Sequence, residues 1–375
     1  MTSVEVVGRL VLDDRVVSGR IVVDDGHIGT VDVDDRETRE DLPFIAPGFV
    51  DVHVHGWGGH DAMGDRAALD GMARILLRHG VTSFLPTGVT SPIADLVRFA
   101  DTVRAWIPTA PHDGAQPLGF NIEGPFLAPA RRGAHNPTLL RVPGDVGTAA
   151  LEPLVDGLRL MTIAPELPGA LELIGWLRDR GVVSSMGHSA ATLDEARAGY
   201  ATGGGTTTHL FNAMSGVDHR APGLAVAALT DDLAYTELIA DGIHVNPALW
   251  PIITRTKPAD RLLLISDAIP LAGTGDGRAR IAGLEVEVSG GRCTVAGTDT
   301  LAGSVIALDT AVRNVVRAGL ALPAAVAAAS RNPLALLGVT DRGRIAEGQR
   351  ADLVELDADL CVRRVLRDGW WIAAA

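Results

Sequence analysis

The chain of 375 residues is 47% hydrophobic and carries a formal charge of −13, so it is too long for one (β/α)8 barrel of about 250 residues and leaves room for a smaller second domain. The negative balance, without any basic run, argues against nucleic acid or an anionic membrane as partner. No apolar stretch reaches the roughly 18 residues of a membrane span, and Glu5 and Arg9 interrupt the N-terminus where a signal peptide would be apolar, so a cytoplasmic protein is expected.

The first 46 residues read as short alternating strands, VEVVGRLVLDD and GRIVVDDGHIGTVDV, broken by Asp-Asp and Asp-Gly turn signals. From 47 to 334 apolar strand-like runs alternate with helical stretches such as DRAALDGMARILLRHG and SPIADLVRFADTVRAW. Eight runs follow in order: FVDVHVHG, VTSFLP, LGFNIEG, LRLMTIAP, VVSSMGH, TTTHL, YTELIADGIH and RLLLISD. That alternation predicts an α/β fold, a (β/α)8 TIM-like barrel. Residues 335–375 return to strand texture, which predicts a small β-sandwich domain built from both termini. Two stretches break the barrel rhythm. Residues 124–144, rich in Pro, Gly and Arg, read as a lid loop, and residues 278–299 read as an inserted β-hairpin.

Potential ligands and proton carriers close these runs. His53 and His55 lie two apart on strand one and so share a face. Glu123, His188, His209 and Asp267 close strands three, five, six and eight. Catalytic groups of such barrels sit at strand C-termini, and imidazoles converging with carboxylates suit Zn or a similar divalent metal. The residues therefore predict a metal-assisted hydrolase. Lys257 is the single lysine, and its polar setting between a helix and a strand excludes a bridging carboxylated lysine; Glu123 is the natural bridge. His27, His60, His79, His112 and His219 fall in turns, helix ends or polar loops and read as structural or solvated. Arg131 and Arg132 read as solvated lid charges, and Arg220 as either a surface ion pair or an anion contact. Cys293 and Cys361 lie away from the strand-end histidines and read as small apolar residues rather than a disulfide.

The motifs GHSAA around His188, THLFNAM around His209, HRAPG around Arg220, ADGIHV around His244, SDA around Asp267, LAGS at 301–304, and EGPF followed by RRGAHNP together closely resemble the N-acetylglucosamine-6-phosphate deacetylase family of the amidohydrolase superfamily. The resemblance covers the whole chain. It implies deacetylation of a small phosphorylated amino sugar to acetate and glucosamine 6-phosphate, in amino-sugar catabolism and cell-wall recycling. It places the principal metal on Glu123, His188 and His209, and a second ion on His53 and His55, with Glu123 bridging. Zn is the expected ion, at one or two per subunit, with Fe or another divalent ion as the alternative. Asp267 and His244 are implied as catalytic, and Ala134, His135, Asn212, Ala213, Arg220, His244, Ala302, Gly303 and Ser304 as substrate contacts. A homodimer is implied, with Arg220 and His244 reaching the neighbouring site. Trp57 and Ala221 depart from the family pattern, and Trp57 is expected to narrow the pocket beside the metals. The rival readings are another amidohydrolase, such as a cyclic-amide hydrolase or deaminase, a deacetylase of a related N-acetyl sugar, and a non-catalytic scaffold.

Overall fold

A computed structural model of the chain describes residues 3–34 and 39–373. Strand one of the barrel, Phe49–Val54, is buried throughout. Its period of two sends Asp51 and His53 to one face and Val50, Val52 and Val54 to the other, so a polar row enters the barrel while the valines meet the surrounding helices. The helix Arg66–Arg78 packs through Leu69, Met72, Ala73, Leu76 and Leu77, at helical spacing, and Asp65 caps it by accepting from the Ala68 backbone N–H.

Strands one to six are Phe49–Val54, Val81–Val89, Phe120–Glu123, Leu158–Ile163, Val183–Met186 and Gly204–Thr207, and they pair in parallel in chain order. Strands seven, Thr236–Ile239, and eight, Leu262–Ile265, form a parallel pair. Backbone bonds close the ring. Leu210 N–H donates to Glu237 O across six and seven at 2.8 Å, and Asp267 N–H to His53 O across eight and one at 2.9 Å.

The terminal strands form one continuous seven-strand sheet in the order 370–373, 362–367, 353–356, 44–47, 3–11, 16–24, 27–34. The sandwich expected from the sequence thus takes the form of a single mixed sheet, with its own core around Leu10, Ile21, Ile28, Ile45, Leu353 and Leu366. Phe44–Pro47 lies in its middle and runs directly into strand one. The insertion after strand eight is also larger than a hairpin. Its strands Gly277–Ile281 and Leu284–Ser289 are joined by a third, Arg292–Val295, so Val286, Val288 and Cys293 make an apolar cluster with Ile269 and Ala302. Among the described residues, no helix is long and apolar enough to cross a membrane.

Candidate active site

Glu123 ends strand three, whereas His188, His209 and Asp267 each stand two residues past their strands. All three take positive φ, at 47°, 27° and 50°. For residues other than glycine such backbone is uncommon and costs about 1–3 kcal/mol. Its recurrence past three strands shows the chain bent at the barrel mouth where these side chains converge.

The convergence centres on Glu123. Its Oε1 lies 3.0 Å from both His188 Nε2 and His209 Nε2, which are 3.1 Å from each other. Its Oε2 lies 3.3 Å from His55 Nε2 and 3.2 Å from His135 Nε2. His53 Nε2 is 3.2 Å from His55 Nε2, and Asp267 Oδ1 is 3.5 Å from the first and 3.3 Å from the second. All of these residues are buried.

Four of the five opposite ring nitrogens have partners of their own; the fifth, His209 Nδ1, is buried without one among the described residues. His53 Nδ1 faces Glu237 Oε2 at 3.2 Å, His55 Nδ1 the Thr87 carbonyl at 3.1 Å, His188 Nδ1 the Arg131 carbonyl at 2.9 Å, and His135 Nδ1 the Thr90 hydroxyl at 2.7 Å. An acceptor at Nδ1 holds the proton there and turns the Nε2 lone pair inward, as a metal-ligating imidazole requires. Lone pairs so close together repel unless a proton or a cation lies between them. No arginine or lysine pairs with Glu123, Glu237 or Asp267 among the described residues, whose ion-pair partners are imidazoles. Buried carboxylates with a nitrogen-rich shell and no fixed cation fit a divalent metal ion. Two sets of ligand atoms lie within 4.8 Å of one another: His53, His55 and Glu123, and Glu123, His135 and His188.

The electrostatics agree. Burial works to raise Glu123, but the charges of His135 and His53 hold it well below the usual carboxylate range. Burial opposes charge on His55, yet hydrogen bonds with Asp267 and Glu123 lift it to about 9. His188 goes the other way, to about 4, through burial and the neighbouring His135. Glu123 thus stays ionised and draws positive charge onto the neighbouring rings, an environment that favours a cation.

A cavity of about 340 Å³ opens over this cluster, within the range of small-ligand sites. His55, Glu123, His188, His209 and Asp267 line its floor, together with Ala134, His135, Asn212, Ala213, His244, Ala302 and Gly303. Ile269, Ile281, Val286 and Leu301 form an apolar wall, partly from the insertion. Gly303, with φ 61°, could not carry a side chain, because a Cβ there would lie 2.8 Å from the Asp267 carbonyl and 2.6 Å from Ile269. His53 lies beneath the cavity lining.

Some residues fall elsewhere. Arg220 is exposed and does not line the cavity of its own chain. Ser304 is buried, with its hydroxyl donating to the Ser266 carbonyl at 2.5 Å. Trp57 does not narrow the pocket: it is buried against the His79 ring, 5.1 Å between centroids, outside the main cavity. Arg131, read as a solvated lid charge, is exposed and also borders the cavity. Lys257 is buried outside the cavity lining, on the carbonyls of Ala228, Asp231 and Ala234. Neither cysteine is paired, and His27, His60, His79, His112 and His219 stay off the cavity.

Sequence reasoning missed three supporting carboxylates. Asp51 accepts from the backbone N–H of His53 and Ser266 and from the Ser266 hydroxyl, tying strand one to strand eight. Glu237 holds His53, and Asp241 holds His244. The available signal was a lone acidic residue inside an apolar run, in FVDVHV and in YTELIA.

The sequence pattern of the amidohydrolase family matches residues 44–372. The N-acetylgalactosamine-6-phosphate deacetylase of Escherichia coli O157:H7 is 38% identical, covering 96% of this chain and 94% of its own. The N-acetylglucosamine-6-phosphate deacetylase of Homo sapiens is 39% identical, covering 96% and 92%. The structure of a mutant N-acetyl-D-glucosamine-6-phosphate deacetylase from Mycobacterium smegmatis, in complex with N-acetyl-D-glucosamine-6-phosphate, superposes with a TM-score of 0.91 at 36% identity over 100% of both chains. The Thermotoga maritima N-acetylglucosamine-6-phosphate deacetylase gives 0.92 at 32%, again over 100% of both. The chain belongs to the amidohydrolase family, among its N-acetylhexosamine-6-phosphate deacetylases.

Proposed function

We propose that the protein hydrolyses the acetamide of N-acetylglucosamine 6-phosphate, releasing acetate and glucosamine 6-phosphate. The observation that carries this reading is the buried shell of imidazoles around Glu123, with Asp267 beside it at the floor of a sugar-sized cavity, in a chain of the deacetylase family. Glu123, His188 and His209 would hold one ion, and His53 and His55 a second that shares Glu123; Zn suits the donors best, and Fe is the alternative. His135 is close enough to Glu123 to join them.

A divalent ion held there supplies Lewis acidity, which polarises a carbonyl and lowers the pKa of water from about 15.7 toward about 7. Asp267 accepts the proton of the attacking water and returns it to the departing nitrogen. This double duty is needed because an amine leaves poorly without a proton. Its backbone is fixed from both sides, N–H to His53 O and carbonyl from Ser304 N–H, so the carboxylate is aimed without reorganisation. His244, held at Nδ1 by Asp241, presents its other nitrogen to the cavity, and a proton there makes it a donor to the carbonyl oxygen, worth on the order of 3 kcal/mol as charge develops. Asn212 and the strained Ala213 backbone, φ 49°, offer contacts to the sugar.

The phosphate is assigned to Arg220. Because Arg220 lies outside its own cavity, it would act across a homodimer; Val217 and Ile243, in the same loops as Arg220 and His244, expose the apolar surface that a second copy would cover. A cytoplasmic location follows from a phosphorylated substrate. Acetate release from N-acetylglucosamine 6-phosphate, set beside N-acetylgalactosamine 6-phosphate, tests the reading. The Escherichia coli relative supports the galactosamine epimer as the second substrate.

A further inference from the structure

We propose that Glu237 is a positioning residue: it keeps the His53 proton on Nδ1 and so makes the His53–His55 pair competent to hold a cation. The proposal rests on the metal-dependent reading above. Glu237 is fully buried on strand seven, between Thr236 and Leu238. Its Oε2 lies 3.2 Å from His53 Nδ1 and 3.3 Å from the backbone N–H of His209, while its own carbonyl accepts from Leu210 N–H at 2.8 Å. One carboxylate therefore reaches the ligand-bearing ends of both strand one and strand six.

Such a group is expensive. Its Oε1 has no hydrogen-bond partner among the described residues, and no arginine or lysine pairs with it, so its burial carries a desolvation cost that an aliphatic residue would avoid. The expense is explained by the tautomer problem at His53. Its Nε2 faces Glu123 at 3.7 Å and Asp267 at 3.5 Å, two carboxylates that would draw the ring proton to Nε2. A ring protonated there cannot ligate through Nε2, the nitrogen that faces Glu123 and Asp267. A third carboxylate on the opposite nitrogen is what can outcompete them. Nδ1 of His55, His188 and His135 meets carbonyl or hydroxyl oxygens instead, so His53 is the one of these four rings backed by a carboxyl group, the partner that most strengthens a ligating imidazole.

A purely structural strut would look similar, and the choice of substitutions separates the two. Glu237→Gln keeps an oxygen acceptor for His53 and His209 but loses the charge; Glu237→Leu loses both. Apo-protein of the wild type and of each variant is titrated with Zn²⁺ against a chromophoric chelator, counting equivalents and affinities. The expected result is two equivalents in the wild type, with the more weakly held one losing about 10–100-fold in affinity in Glu237→Leu and a smaller loss in Glu237→Gln. Wild-type affinity for both equivalents in Glu237→Gln overturns the proposal, including where Glu237→Leu fails to fold. A wild type that takes up no ion overturns the metal-dependent reading and this proposal together.

Discussion

His244 is aimed by Asp241: its Nδ1 lies 2.6 Å from Asp241 Oδ2, while Asp241 Oδ1 accepts from the backbone N–H groups of Ile243 and His244, each at 2.8 Å. Burial works to raise the Asp241 carboxyl, but the His244 hydrogen bond holds it below the usual range, so it stays an acceptor. Asp241→Asn puts an amide against the ring and loosens the proton on Nδ1. The expected result is a loss of about 10²-fold in kcat with the circular dichroism spectrum intact. An unchanged kcat removes His244 from the chemistry.

Asp267→Asn keeps the side-chain volume and the backbone bonds to His53 and Ser304, and removes the proton acceptor. Turnover should fall by about 10²–10⁴-fold while metal content per subunit stays at the wild-type value. Near-normal turnover would assign the proton transfers to another group.

Arg220→Ala should raise KM for the phosphorylated sugar by roughly 10–100-fold, the size of a lost charge-assisted hydrogen bond, with little change in kcat. If the arginine serves a neighbouring subunit, an inactive Asp267→Asn chain with Arg220 intact, mixed with Arg220→Ala chains, will restore low-KM activity in the heterodimers. Failure of that rescue in demonstrated heterodimers would return the phosphate grip to a single chain.

The one lysine has a structural task. Lys257 is 3% exposed, and its ammonium donates to Ala228 O at 3.0 Å and to Asp231 O and Ala234 O at 2.5 Å, joining the end of the helix before strand seven to the end of the helix after it. Lys257→Met leaves three carbonyls short of a donor, and thermal or denaturant unfolding should show a loss of about 2–4 kcal/mol with kcat in the surviving protein unaltered. A silent substitution would mean that water satisfies those carbonyls.

What could be read from the sequence was local. His53 and His55 share a face because a strand repeats every two residues, and Glu123, His188, His209 and Asp267 declare themselves by ending apolar runs in a βα rhythm. What could not be read was the partner of each ring nitrogen. His53 and Glu237 are 184 residues apart in the chain, and His188 Nδ1 meets a backbone carbonyl that any residue at 131 would offer. Trp57 stands two residues after the HxH motif, but the turn at Gly58 and Gly59, both at positive φ, accompanies a short Gly56–Trp57 pairing with His60–Asp61 that leaves the indole against His79. The third strand of the insertion was missed because RCTV alternates weakly and declares itself only by pairing with Leu284–Ser289.

Acetate release from N-acetylglucosamine 6-phosphate and from unphosphorylated N-acetylglucosamine, with metal content measured on the same sample, decides whether the Glu123 cluster is a metal-dependent deacetylase site. The expected result is rapid, chelator-sensitive release from the phosphorylated sugar, restored by Zn²⁺, and slow release from the unphosphorylated one. Metal-replete protein that releases acetate from neither sugar would contradict it.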